Sequence, residues 1–257
     1  MVKKMKIKPS LKKFIVTNRD LTVLEFLAES KIASREHIRR MFFKNTKSLR
    51  VLYRRLKYLI DSEYIYRTGI EFDGRFLLCY MLTEKGFLVS RGFSRHVFLK
   101  TPERSEKPIH DLQLVGIREK LESRPKVKQF LTENILQSSD VVQTNDFLNT
   151  FVKCNSDAGI KVVIHQKPYW LPLEFENSSQ NDNVIYRKLK KYYQSEIKAL
   201  FLICKSQQQL LQIQEIENRI RVDFQVAPIV FYCTLDVLFN ATESISFKNL
   251  ESKTITI

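Results

Sequence analysis

Three acids in the second half of the chain have residue types and spacing that could do chemistry. Asp157 opens an apolar run, Asp157-Ala158-Gly159-Ile160-Lys161-Val162-Val163-Ile164, that reads as a strand. His165 to Pro168 reads as a turn, and Tyr169 to Glu176 as the returning strand. Side chains alternate along a strand, so Glu174 and Glu176 fall on one side of it. An Asp and two Glu at one sheet edge offer the oxygen ligands Mg²⁺ prefers, with Asp157 and Glu174 as the metal pair. The next helix, 182–196, is basic and rich in tyrosine, and Lys188 or Lys191 on it could bring a cation to the acids. The plain alternative is a hydrogen-bonded network at a sheet end that holds no metal.

Other chemistry finds less support. No glycine-rich phosphate loop is present, so ATP-driven work has no motif. His37, His96 and His165 share no metal-like spacing with the cysteines. His110 reads as a helix-start residue bonding locally. Cys79, Cys154, Cys204 and Cys233 are far apart and mostly in apolar runs, which suits buried free thiols in a reducing cytoplasm. The N-terminus is basic without an apolar core, so it does not read as a secretory signal. The longest apolar runs are strand-length, so no membrane partner is expected.

The net charge of +15 is unevenly placed. Residues 1–100 hold 23 Lys and Arg against 9 Asp and Glu, a net of +14; residues 101–257 hold 20 against 19. A basic module joined to a neutral one points to a polyanion for the first. Within it, Asp20 can cap a first helix running to Glu29, and Ser34 a second running to about Phe43. A third helix opens at Asn45 or Thr46 and ends near Asp61. Its Leu49, Leu52, Leu56 and Leu59 make one apolar stripe. At 100° per residue, Lys47, Arg50, Arg54 and Lys57 point away from that stripe, with Tyr58 beside them and Arg55 at the edge. Such a face suits a major groove, where Arg or Lys can donate to guanine and the rest reach phosphates. No Glu stands four residues before a Lys or Arg, as it would in a helix that neutralises itself.

Two strands joined at Asp73-Gly74 follow, then a helix capped by Thr83. Arg67 and Arg75 flank this hairpin as phosphate or minor-groove contacts. Residues 101–108, polar with two prolines, read as a linker. Beyond it the pattern is a helix to about Glu122, strands at Val127–Leu131 and Ile135-Leu136, and a weakly patterned stretch to Ser156. The acid hairpin, the basic helix, a buried central strand at Ala199–Cys204, a helix over 207–220 and a last strand at Ile229–Cys233 complete it. The fold class is α+β: a winged helix-turn-helix over 1–100, then an α/β sandwich over 109–257 around a mixed central sheet.

Two resemblances follow from these residues. The runs LYRRLKYLIDSEYIYR and GRFLLCYMLTEKG resemble the third helix, wing and closing helix of bacterial winged helix-turn-helix proteins. Asp157, the hairpin, Glu174-x-Glu176 and the basic helix resemble the core of PD-(D/E)XK nucleases. In that family two acids hold Mg²⁺ and a lysine assists the attacking water. Here Glu176 stands in the lysine's place, and a third carboxylate adds charge where hydroxide and phosphate oxygens must gather. The domain is therefore expected to be inactive; if active, it would be a Mg-dependent endodeoxyribonuclease using Asp157, Glu174, Glu176 and Lys188. With His110-Asp111-Leu112, the whole resembles the replication-relaxation family of plasmid and mobile-element proteins. That resemblance implies double-stranded DNA, replication control or mobilisation, and a relaxase or replication initiator as partner. A winged-helix repressor and a homodimer both stay open.

Overall fold

The computed structural model of this chain describes residues 15–46, 48–94, 96, 98, 105–138, 140–141, 145–177, 181–224 and 227–257. The chain is α+β. Its first part runs α1 (Asn18–Ser30), β1 (Ala33–Ser34), α2 (Arg35–Phe42), α3 (Leu49–Asp61), β2 (Ile65–Phe72), β3 (Arg75–Leu82) and α4 (Glu84–Arg91). Short polar side chains start the helices as expected: Ser34 caps α2 and Thr83 caps α4. Two starts differ. Thr17 caps α1, and Asp20 is the third residue of a capping box, its carboxylate accepting from the Thr17 N–H at 2.8 Å. Ser48 caps α3, so that helix begins later than Asn45. Leu49, in its first turn, overhangs the core and is 48% exposed, which leaves Leu52, Leu56 and Leu59 as the buried stripe. Asp73 and Gly74 both take positive φ, 53° and 67°, the geometry that lets a two-residue turn follow the strand twist. β3 is the centre of a three-stranded sheet, β1-β3-β2.

Thr83 ties the hairpin to α4. Its hydroxyl accepts from the Gly86 N–H at 3.0 Å and donates to the Glu63 carbonyl. Thr83→Ala is expected to cost about 1 kcal/mol in denaturant unfolding, the usual worth of a helix cap.

The second part runs α5 (Pro108–Glu122), β4 (Val127–Thr132), α6 (Glu133–Leu136), α7 (Asp146–Cys154), β5 (Ala158–Ile164), β6 (Lys167–Glu176), α8 (Asp182–Tyr193), β7 (Ala199–Cys204), α9 (Gln207–Arg221), β8 (Ile229–Thr234), α10 (Leu235–Asn240), β9 (Ser246–Lys248) and β10 (Thr254–Thr256). One mixed sheet has the order β10-β9-β8-β7-β6-β5-β4, with β6, β7 and β8 parallel. The apolar β7 is its central strand, as its composition predicts. Ile135 and Leu136 lie in a helical turn, not a strand, and the weakly patterned stretch contains α7. β8 is followed by α10 and two short edge strands that the sequence reading omitted. One sheet face packs against α7, α8 and α9 through Phe151, Leu189, Tyr192 and Ile213. The other packs against α5 and α10 through Ile117, Leu121 and Leu238. All four cysteines are buried and free.

Helix α5 serves both parts. Ile117 and Leu121 face the sheet, while Val115 and Leu112 join the apolar clusters of the first part. Arg118 crosses the junction to Glu29 at 2.6 Å, and Arg40 reaches Glu119 with two bonds of 2.7 Å. Of the segment 101–108, residues 101–104 lie outside the described residues, and Pro108 already opens α5. No helix among the described residues is long and apolar enough to cross a membrane.

Candidate functional site

The amphipathic α3 turns Arg50, Arg54, Lys57 and Tyr58 outward, all exposed. Lys47 lies outside the described residues. Two expected members behave differently. Arg55 turns back to the fold: its Nε donates to Asp20 Oδ1 at 3.0 Å and its Nη2 to the Ile15 carbonyl at 3.2 Å. Asp20 is almost fully buried, and Arg55 supplies its counter-charge. Arg55 therefore anchors α1 to α3 and does not belong to the outward face. Lys57 is exposed but reaches Asp61 at 2.9 Å, one turn on. That pair partly offsets its charge, although exposed pairs of this kind are weak.

The hairpin divides its two arginines. Arg67 pairs across the ladder with Tyr80, and Arg75 with Phe72. Alternation puts these two pairs on opposite faces. Tyr80 belongs to the same apolar cluster as the α3 leucines, so Arg67 is on the side of α3 and Arg75 is not. Two further residues on the α3 side were missed. Arg35 opens α2 and lies over the ring of Tyr53, 5.3 Å from its centroid, and Tyr53 is 43% exposed. Tyr53 sits at the opposite edge of the α3 face from Tyr58. A face angle could have found it; the stacking of Arg35 required the fold.

Arg35, Arg50, Arg54 and Arg67 have no carboxylate partner among the described residues. Arg39, Arg40, Arg118, Arg219 and Arg221 each hold one. Four of the guanidiniums without a carboxylate partner thus lie on α3 and the elements beside it; Arg19, Arg75, Arg91, Arg124 and Arg187, placed elsewhere, also lack one among the described residues. The hairpin tip is acidic instead: Glu71 and Asp73 border a cavity of about 950 Å³ between the two parts.

That cavity leads to the second candidate site. Its wall includes His110, Asp157, Glu176 and Lys188. Glu174 and Glu176 share the α8 face of β6, as alternation requires, and both are buried. α8 sends Lys188 to the acids: Nζ is 3.6 Å from Asp157 Oδ2 and in contact with Glu174 Oε2. Glu174 Oε1 accepts from the Tyr192 hydroxyl, which is 2.8 Å from Ser156 Oγ. Asp157 Oδ2 accepts from the Phe175 N–H at 2.8 Å. His110, expected to bond only locally, lies between Asp111, at 3.5 Å, and Asp157, at 3.6 Å. The rest of α5, then β4, α6 and α7, separate His110 from Asp157 in the sequence, so no spacing could have joined them.

The charges follow from this packing. Burial alone would raise the Asp157 pKa, but Lys188, His110 and the Phe175 N–H hold it well below the usual carboxylate range. Burial pushes Glu174 up to about 8, against the pull of Lys188. His110 would be lowered by burial, but its bonds to Asp111 and Asp157 raise it to about 10, so it is an imidazolium at neutral pH. Lys188 is likewise lowered by burial and raised more strongly by Glu174 and Asp157.

A resident Mg²⁺ does not fit this arrangement. Mg²⁺ needs carboxylate oxygens at about 2.0–2.1 Å in near-octahedral geometry. Both Glu174 oxygens meet a donor, Tyr192 or Lys188, and Asp157 Oδ2 faces one N–H and two cations. The Lys188 ammonium stands where a shared cation would stand. Among the described residues no group of three or more His, Cys, Asp or Glu has metal-ligand geometry. No protein-family model, curated protein or solved structure matches the chain.

Proposed function

We propose that this is a double-stranded DNA-binding protein whose first part acts as a winged helix-turn-helix. The observation that carries the reading is the set of uncompensated arginines, Arg35, Arg50, Arg54 and Arg67, around the outward face of α3. A folded surface without a polyanion to meet gains nothing from like charges that repel one another. The short two-residue hairpin turn and the Thr83-capped helix behind it support the winged arrangement. α3 would enter the major groove. The hairpin base, not its acidic tip, would lie along the backbone.

In this reading the second part is a PD-(D/E)XK-like sandwich that docks DNA or a partner without cutting. Glu176 in the lysine position and the closed Asp157–Lys188–Glu174 cluster both favour that. The resemblance to replication-relaxation proteins supports plasmid or mobile-element DNA as the setting, with a relaxase or replication initiator as partner. The second reading is an endonuclease, in which Lys188 would serve as the assisting cation. Lys188 reaches both acids from α8, the task left open by Glu176.

The test uses supercoiled plasmid and linear duplex, with and without Mg²⁺ or Mn²⁺. Retarded duplex bands with intact plasmid are expected. Cleavage that Asp157→Ala abolishes would establish the endonuclease; no retardation at any salt would end the DNA reading.

A further inference from the structure

We propose that Arg35 and Arg67, set on either side of Tyr80 and beside Tyr53, form a clamp for one backbone phosphate flanking the groove that α3 enters. The proposal rests on the duplex reading above and names a contact that the α3 face does not include. Tyr80 lies on β3, the middle strand of the first sheet. Arg67 is its cross-strand partner on β2, and Ala33 its partner on β1. Arg67, Tyr80 and Ala33 therefore form one row across the sheet, and Arg35 follows Ala33 by two residues. Adjacent strands are about 4.8 Å apart, so the row spans about 10 Å, within reach of two converging arginine side chains.

Each arginine is held or aimed by an aromatic ring. Arg35 is exposed and its guanidinium lies over Tyr53, 5.3 Å from the ring centroid. Arg67 projects from a ladder position directly opposite Tyr80. Tyr80 itself is buried, and its phenol feels both guanidinium charges, which oppose the upward push of burial on its pKa.

Arg35 is also costly where it stands. It is the first residue of α2, and a cation there opposes the helix dipole. Its neighbour Glu36 offsets this only in part, because that carboxylate is shared with Arg39 at 2.6 Å and Arg40 at 3.7 Å. A bound phosphate would relieve it. The location selects phosphate over a base edge: Tyr53 lies roughly 40–60° around α3 from Lys57 and Arg50, at the edge of that face, so the clamp borders the groove.

Fluorescence anisotropy of the full chain on a mixed-sequence synthetic duplex, titrated with salt, tests the clamp. Arg35→Ala and Arg67→Ala are each expected to weaken binding roughly tenfold at low salt. Each should lower the salt slope by up to about 0.9, the share of one phosphate. The double variant should lose little more than either single one, because both remove the same contact. Tyr53→Ala should reproduce part of the Arg35→Ala defect, and Tyr53→Phe should not. Fully additive losses would mean separate contacts and overturn the clamp. So would native affinity in Arg35→Ala while an Arg50/Arg54 double variant loses binding, an outcome that leaves the duplex reading intact. Native affinity in all of these variants would remove the duplex reading and the clamp with it.

Discussion

Duplex affinity should fall by about 2–6 kcal/mol when Arg50 and Arg54 are both replaced by Ala, measured on a site selected from a random-sequence pool. The figure follows from about 1–3 kcal/mol for each arginine that reads a base. Both side chains are exposed on the outer face of α3, and neither has a carboxylate partner among the described residues. Neither is needed to hold the fold, which rests on Leu52, Leu56 and Leu59 behind them. The unfolding midpoint should therefore stay within experimental error of the native value. The loss should also be larger on the selected site than on mixed sequence, since base contacts carry discrimination and phosphate contacts do not. An equal loss on both would make these arginines phosphate contacts. Unchanged binding would remove α3 as the reader. Arg55→Ala makes an informative contrast: it strands the buried Asp20 carboxylate, so it should lower stability more than affinity.

Lys188→Met is expected to destabilise the protein by about 3 kcal/mol at about pH 9, where Glu174 is ionised beside Asp157 and the two buried carboxylates lose the cation they share. Lys188 touches Glu174 and stands 3.6 Å from Asp157, and no other lysine or arginine reaches either acid among the described contacts. Denaturant unfolding measures the effect, and a variant as stable as the native chain at about pH 9 would refute it. The loss should shrink as pH falls through about 8, where Glu174 takes up its proton and one of the stranded charges disappears.

The pH dependence of the native chain has a defined sign. His110 is raised from 6.5 to about 10, so its contribution is complete below 6.5 and is lost as pH rises through about 10. Glu174 is raised from 4.5 to about 8, so stability also falls across that interval as its buried carboxyl ionises. Asp157 is lowered, so its contribution is present above its ordinary value of 3.8 and is lost in stronger acid. Stability should thus decline from neutral pH toward about 10, and His110→Gln should remove the upper part of that decline.

Much of this was legible in local patterns. Leucines at helical spacing placed the inner face of α3, and that placement turned Arg50 and Arg54 outward. Asp73-Gly74 marked the hairpin turn, and Ser34 and Thr83 marked helix starts. Strand alternation put Glu174 and Glu176 on one face. The reading failed where a pattern was short or a partner distant. Ile135-Leu136 is apolar enough for a strand, yet the pair sits in a single helical turn after Thr132. Arg55 sits at the edge of the α3 face by angle, and only the buried Asp20 on α1 draws it inward. Arg67 and Arg75 look equivalent beside the turn, but the ladder register sends them to opposite faces.

The acid cluster with which the sequence reading began shows the division most clearly. By itself the sequence determined which acids share a strand face, where a basic helix follows them, and that the positive charge belongs to the first part of the chain. These are consequences of period and composition, and they act over a few residues. Tertiary structure decided what the acids meet, choosing Lys188 from the two lysines that the basic helix offered. It brought Lys188 from α8 and His110 from α5 to Asp157, and Tyr192 to Glu174. The physical reason is burial. Carboxylates packed between a sheet and a helix must find counter-charges and donors, and those come from segments that only the fold brings within a few ångströms.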